Sequence, residues 1–453
     1  MWMIAFPLTA PSQEPAPGII LEKVVCLNNA NQSYSIYLPS KYSSDRKWPI
    51  IFAFDADARG PLPVRRFKAV AEKYGYIIAG SNNSRNGPMA IIEEALNALI
   101  TDTESRFSLD DRRMYMTGFS GGARVAVAAA AAMKGKIAGV IGCGAGFHPE
   151  IPLSDAKSFA FFGAVGTEDF NFPELKALDD RLEKQGAVHK LEIFPGGHEW
   201  PPEWVCTRAI EWMEIQAMQT GRQNPDADRI DELYSKAVAA ARSYDDMTQT
   251  YEAYRHYSDL VKDFAGLEDV SPFQAIAARL KKSGEIKKAI RQENNIIERQ
   301  KRLEDKISLL LEGAAYGENR AYRIQDLMRL FISLQEQANQ KRNEADRLVA
   351  VRALNLFWIR LNKDAATDIE NKNYNGAAMR LELLTQIRPD NPQVFYHLSR
   401  IYALGGNRKD ALKALRNAVE KGFKNATELV DNPDFEKIRG DPDFLRILGT
   451  INK

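Results

Sequence analysis

A chain of 453 residues exceeds the usual size of a single domain, so two or three domains are expected. Hydrophobic residues make up 45% and charged residues 27%, a balance that supports packed globular cores. The 61 basic and 60 acidic residues leave a net charge of +1, which removes any electrostatic case for nucleic acid or an anionic membrane surface, and no apolar run is long enough to span a bilayer.

Residues 1–19 begin with a short apolar stretch and continue into the Pro-rich "PLTAPSQEPAPG". This reads as a flexible segment, either the remnant of a signal peptide or a cytoplasmic tail, with an exported or periplasmic location expected slightly over a cytoplasmic one. Residues 20–220 then alternate short β-rich runs with helical stretches. The strand candidates are "EKVVCLN", "SYSIYLP", "WPIIFAFD", "YIIAGSN", "RMYMTGF", "IAGVIGC", "FAFFGAVG" and "HKLEIFPG". The first two, joined by the turn-like "NNANQ", predict an antiparallel hairpin at one edge. From the third strand onward helices intervene. In "VRRFKAVAEKYG", for example, Val64, Phe67, Val70 and Ala71 share one helical face. Near-continuous apolar strands separated by helices predict an α/β sandwich of about eight mostly parallel strands.

Past "QTGRQNPDADR" the pattern becomes entirely helical. Residues 228–345 are expected to form a helical domain or degenerate repeats. Within them the charged stretch from Phe273 to Glu312 predicts one or two long helices with solvated faces. Residues 346–453 carry a clearer period. Phe395, Leu398, Tyr402, Ala411, Leu415 and Ala418 are spaced in a way that resembles the tetratricopeptide repeat. Ala377 and Leu381 stand thirty-four residues before Ala411 and Leu415, and "DNPDFEKIRGDPDFLRIL" reads as capping helices. The resemblance implies a protein or peptide partner for this domain.

The chemistry lies in the first half. "TGFSGG" puts Ser120 between an apolar strand and the helix "GARVAVAAAAAM", which is the G-x-S-x-G pattern in its strand–turn–helix context. A reversal this tight strains the serine backbone, and Gly118 and Gly122 remove side chains that would collide across it. A serine hydroxyl needs a base to take its proton. His198 in "FPGGHEWPPEW" follows the last strand and is the expected base, with His148 in "GAGFHPE" second. His189 reads as an edge residue, and His256 and His397 as packing residues of the helical half. Asp169 in "GTED" follows the seventh strand and is the expected acid that orients the imidazole, with Glu168 the runner-up. Cys26, Cys143 and Cys206 form neither a metal spacing nor a disulfide framework, and Cys143 reads as a buried, inert thiol. No metal ligand set and no cofactor motif is found.

The order Ser120, Asp169, His198 resembles that of α/β-hydrolases. Residues 20–220 are similar to the compact esterase type, such as polyhydroxybutyrate-depolymerase-like and feruloyl-esterase-like enzymes. The resemblance implies a serine hydrolase acting on a small-molecule or polymer-linked ester through an acyl-serine intermediate, without a large cap domain. It also implies an oxyanion hole of backbone N–H groups from Gly121 and from the loop after "WPIIFAF", at Ala56 and Asp57. Relatives often carry His-Gly there, whereas this chain has Asp55-Ala56 followed by Asp57, Ala58, Arg59 and Gly60. Asp57 is expected to pack against Arg59. Asn82, Asn83 and Arg85 in "GSNNSRNGP", together with His148 and Trp200, are candidate substrate contacts. Two other readings stay open: a catalytically inactive scaffold used for protein interaction, and a serine peptidase.

Overall fold

The computed structural model describes residues 15–148, 150–316, 320–340 and 342–451. Most of the expectation for residues 1–19 therefore lies outside the described residues. An edge hairpin opens the fold: β1 (Ile20–Cys26) and β2 (Asn29–Tyr37) pair antiparallel. There follow β3 (Trp48–Asp55), α1 (Pro61–Tyr74), β4 (Ile77–Ser81), α2 (Met89–Arg106), β5 (Leu109–Phe119) and α3 (Gly121–Ala132). Next come β6 (Ile137–Cys143), β7 (Ala160–Gly166), α4 (Phe172–Gln185), β8 (His189–Phe194) and α5 (Glu203–Gln219).

The eight strands form one sheet in the order β1-β2-β4-β3-β5-β6-β7-β8. β2 runs antiparallel to β4, and every pair from β4 to β8 is parallel. β3, β4, β6 and β7 are buried along their whole length, which requires cover on both faces and explains their lack of polar alternation. On α1, Val64, Phe67, Val70 and Ala71 are buried and join Tyr115, Phe162 and Trp212 in one core. The protein thus has the α/β-hydrolase fold, with all-helical sequence after it.

Three helices follow: α6 (Ala227–Asp246), α7 (Thr250–Phe264) and α8 (Ser271–Lys282). They belong to the same compact unit as the sheet, which extends to Arg291. α7 is bound to the sheet through Asp263. Trp212 Nε1 of α5 donates to one carboxylate oxygen at 2.7 Å and Lys190 Nζ of β8 to the other at 2.6 Å. Arg255 also donates to the carbonyl of Leu191 at 3.1 Å. Around these bonds Ile215, Leu233, Tyr257, Leu260 and Phe264 form a separate apolar cluster.

The second compact unit is Gln292–Lys453. α9 (Gly284–Tyr316) leads into it, and α10 (Arg320–Asn339), α11 (Glu344–Glu370), α12 (Tyr374–Ile387), α13 (Pro392–Leu404) and α14 (Arg408–Glu420) follow. α15 (Ala426–Asp431) and α16 (Pro442–Ile451) come last. Asparagines start five of these helices: the side chains of Asn343, Asn373, Asn391, Asn407 and Asn425 each accept a backbone N–H of the first turn. Ala377 and Ala411 are fully buried, which lets the helices they sit on approach a neighbour closely. The closing stretch buries Phe435, Ile438, Phe444 and Ile447 against Tyr396 and Leu415.

Candidate active site

Ser120 lies at the turn between β5 and α3, with φ 55° and ψ −119°. A non-glycine residue in this region is strained, and the surroundings hold it there. Its own N–H is tied to the carbonyl of Cys143 at 2.9 Å. A Cβ on Gly118 would strike the backbone of Gly122, and one on Gly122 would strike the carbonyl of Phe54. Both glycines are therefore demanded by close backbone approach. The turn brings the start of α3 against the end of β3, and the N–H of Gly121, at the first position of α3, has no acceptor within its own helix.

Two later strand ends supply the other groups. The carboxylate of Asp169, after β7, accepts from His198 Nδ1 at 2.9 and 3.0 Å. His198, after β8, turns its Nε2 to Ser120 Oγ at 3.0 Å. Asp169 is 1% exposed at its side chain and also accepts the N–H of Asn171 at 2.8 Å, so the carboxylate is held from two sides. The imidazole is clamped between Phe119 and Phe170, with ring centroids 4.6 and 4.2 Å away. Gly144, at φ 64°, passes close to Asp169 and His198, where a side chain would crowd both. The three residues at the heart of the expected set are thus brought together by the sheet.

The loop after β3 is organised by Asp55. Arg59 donates to both of its oxygens, at 2.8 and 3.0 Å, and Trp200 Nε1 donates to Oδ2 at 2.7 Å. The N–H of Asp57 bonds to Asp55 Oδ1 at 2.9 Å. Burial pushes the Asp55 carboxyl up, but these donors outweigh it and hold the group below the usual carboxylate range. Arg59 meets Asp57 as well, at 3.4 Å, so the expected Asp57–Arg59 contact exists but is secondary to Asp55. With the Asp57 N–H already engaged, Ala56 is left as the donor this loop can offer to an oxyanion. Its position is set from β4's side, since Asn86 N–H donates to Ala56 O at 2.8 Å.

Other candidates are used elsewhere. Trp200 is 4% exposed and spends its indole N–H on Asp55, so it is a packing residue and not an aromatic wall. Asn82 donates to the carbonyl of Glu22 at 3.0 Å. Asn83 accepts from Ser33 N–H at 2.9 Å and donates to Asn31 O at 3.1 Å. Both therefore stitch their loop to the edge hairpin. Arg85 pairs through its backbone with Asp57 and leaves its side chain exposed. His148 is about half exposed, 3.7 Å from Glu150. Burial pushes the Cys143 thiol up to about 12, as suits an inert group.

One residue of that polar loop has a more telling place. The side-chain oxygen of Asn86 lies against Gly121, where a Cβ would collide with it. Asn86 thus touches both Ala56, in the loop after β3, and Gly121, the residue after Ser120. Its sequence signal was weak, one asparagine among several in a turn.

Residues 73–200 match the Dienelactone hydrolase family, and that segment contains Ser120, Asp169 and His198. Among solved structures, an S-formylglutathione hydrolase from Staphylococcus aureus is similar at 14% identity, covering 44% of this chain and 99% of its own, with a TM-score of 0.36. Est1E from Butyrivibrio proteoclasticus is similar at 14% identity over 43% of this chain and 99% of its own, TM-score 0.36. Esterase B from Lactobacillus rhamnosis is similar at 13% identity over 46% and 89%, TM-score 0.37. No curated protein matches the chain.

Proposed function

We propose that the protein is a serine hydrolase that cleaves carboxylic esters through an acyl-serine intermediate. The observation that carries this is His198, held between Ser120 Oγ at 3.0 Å and Asp169 at 2.9 Å, with Ser120 in a strained turn at a helix start. His198 Nε2 takes the Ser120 proton as Oγ bonds to the carbonyl carbon, and Asp169 stabilises the imidazolium that forms. The oxyanion of the tetrahedral intermediate meets the N–H groups of Gly121 and Ala56, charge that no ground-state ester carries. Collapse expels the alcohol, which takes its proton from His198. Water then attacks the acyl-serine, giving its proton to His198, and the carboxylic acid leaves as Ser120 Oγ recovers a proton.

An ester fits better than an amide on family grounds, since residues 73–200 match a hydrolase family named for a lactone, a cyclic ester. Residues 346–453 are proposed to be tetratricopeptide-like repeats that bind a partner or position the substrate. In support, α12 and α14 begin at Tyr374 and Arg408, with Ala377 and Ala411 buried at matching places.

A fluorophosphonate probe tests the catalytic reading. The full chain should be labelled, Ser120→Ala should not, and the same change should lower ester turnover on the order of 10⁴-fold or more. An unlabelled parent protein would favour the inactive scaffold. Equal labelling of both proteins would place the nucleophile elsewhere. Parallel rates on acetyl, feruloyl and aminoacyl substrates then separate ester from amide specificity.

A further inference from the structure

We propose that the edge of the sheet opposite Ser120 carries a second binding site, for an organic anion with an apolar body. A cavity of about 400 Å³ opens there, under the N-terminal ends of β5, β6 and β7 and the C-terminal end of α5. That volume is within the range of small-ligand sites and suits an acid of about ten non-hydrogen atoms.

Three cations line it: Arg112, Lys157 and Arg222. No carboxylate lines it, and among the described residues none of the three has an acidic partner within 4.0 Å. The neighbouring Arg113 pairs with Glu214, Lys190 with Asp263 and Arg208 with Glu192. Three like charges converging on one cavity repel one another, and an anion between them reverses the sign of that interaction.

Two of the cations are also held in place. Arg222 donates to the carbonyls of Arg112 at 3.0 Å and Gly135 at 3.5 Å, and Arg112 donates in return to the carbonyl of Gly221. Each guanidinium carries five N–H donors, so both keep some for a ligand while backbone carbonyls fix their orientation. Such fixed forks match carboxylate and phosphate geometry.

The rest of the lining is apolar. Phe159, Ala160, Met213 and Ala138 are buried in it, and Val188 is exposed at 45%. Tyr115 also lines the cavity, and its buried hydroxyl makes no hydrogen bond among the described residues. An apolar body against these side chains with its charged end toward the cations satisfies both halves of the lining. Arg112 and Ser120 lie eight residues apart along and just beyond β5, on the order of 25 Å at about 3.3 Å per residue. A ligand here does not occupy the space of a substrate at Ser120.

Octanoate is the test probe, followed in the full chain by titration calorimetry and by amide hydrogen exchange. Saturable binding is expected, with protection rising in residues 157–160 and 217–222. Lys157→Glu should weaken binding at least tenfold; this side chain is exposed, so the variant is expected to fold. Arg222→Gln should weaken it as well, while Ser120→Ala should leave it unchanged. Absence of protection in those residues overturns the proposal, as does octanoate binding that Lys157→Glu does not affect. Octanol binding as tightly as octanoate would show that the cations are not read. Inorganic phosphate binding as tightly would show that the apolar lining is not read. Either result also overturns it. None of these outcomes depends on whether Ser120 is a nucleophile.

Discussion

Asp55 stands at the end of β3 and works as the organiser of the loop that follows. Its buried carboxylate accepts from Arg59, Trp200 and the N–H of Asp57, and together they hold it ionised below the usual carboxylate range. A depressed folded-state pKa stabilises the fold above the unfolded value of about 3.9, and that contribution is lost as pH falls through the lower folded value. Trp200→Phe removes one donor while keeping an aromatic ring. It should destabilise the protein by about 2 kcal/mol at pH 7, the scale of a hydrogen bond to a charged group. The deficit should shrink as pH falls through the depressed folded-state value of Asp55, where the group is protonated first in the variant and then in the parent. Urea unfolding at pH 7 and at a series of lower pH values down to acid unfolding, followed by circular dichroism, measures it; a deficit that stays constant throughout the series would mean that only packing was lost. The pairing of Asp55 with Trp200 joins residues 145 positions apart, and nothing local in either segment announces it. His198, Asp169 and Ser120 were legible because each follows a recognisable strand, and the order of the three along the chain carries information of its own.

At the scale of elements, about eight strands were expected and eight are found among the described residues. "WPIIFAFD" and "IAGVIGC" coincide with β3 and β6 to the residue. β5 starts earlier than its apolar run because Leu109 pairs with Trp48 of β3; the polar residues 110–113 lie in a shift of register, and regular pairing begins at Met114. What the strand pattern did not disclose is how two loops meet. The loop after β4 reaches across so that Asn86 N–H bonds to Ala56 O and its side chain covers Gly121. Asn86→Ala keeps the backbone bond and removes the cover over Gly121, whose N–H is proposed as an oxyanion donor. It should lower kcat about tenfold with KM little changed, since a misplaced donor weakens only the interaction made in the transition state. A rise in KM with unchanged kcat would instead make Asn86 a substrate contact.

At the scale of the whole molecule, α6, α7 and α8 share a compact unit with the sheet. Their docking covers Trp212 and Ile215 of α5, and Asp263 bonds the Trp212 indole and Lys190. A fragment of residues 1–283 should therefore remain folded and react with fluorophosphonate as the full chain does. A fragment ending at residue 220 loses that cover and leaves Lys190 without its carboxylate. Its Tm should fall by about 10 °C or more, from the apolar area re-exposed and the broken ion pair. Equal melting of the two fragments in calorimetry would mean that these helices add nothing to the stability of the sheet. Helical periodicity marked this region as α-helix but could not say what its apolar faces cover, because burial against a distant surface leaves the same periodic pattern as burial against a neighbouring helix.

The sequence by itself determined the α/β class, the eight strands, the strained serine turn and the order of Ser120, Asp169 and His198 after successive strands. Each of these is written in a local period, a glycine spacing or a position along the chain. Only the tertiary structure decided the strand order, the Asp55 cluster, the place of Asn86 and the unpaired cations at the far edge of the sheet. Those depend on which distant segments share a surface, and the free energy of such contacts belongs to pairs of residues that no local window contains together.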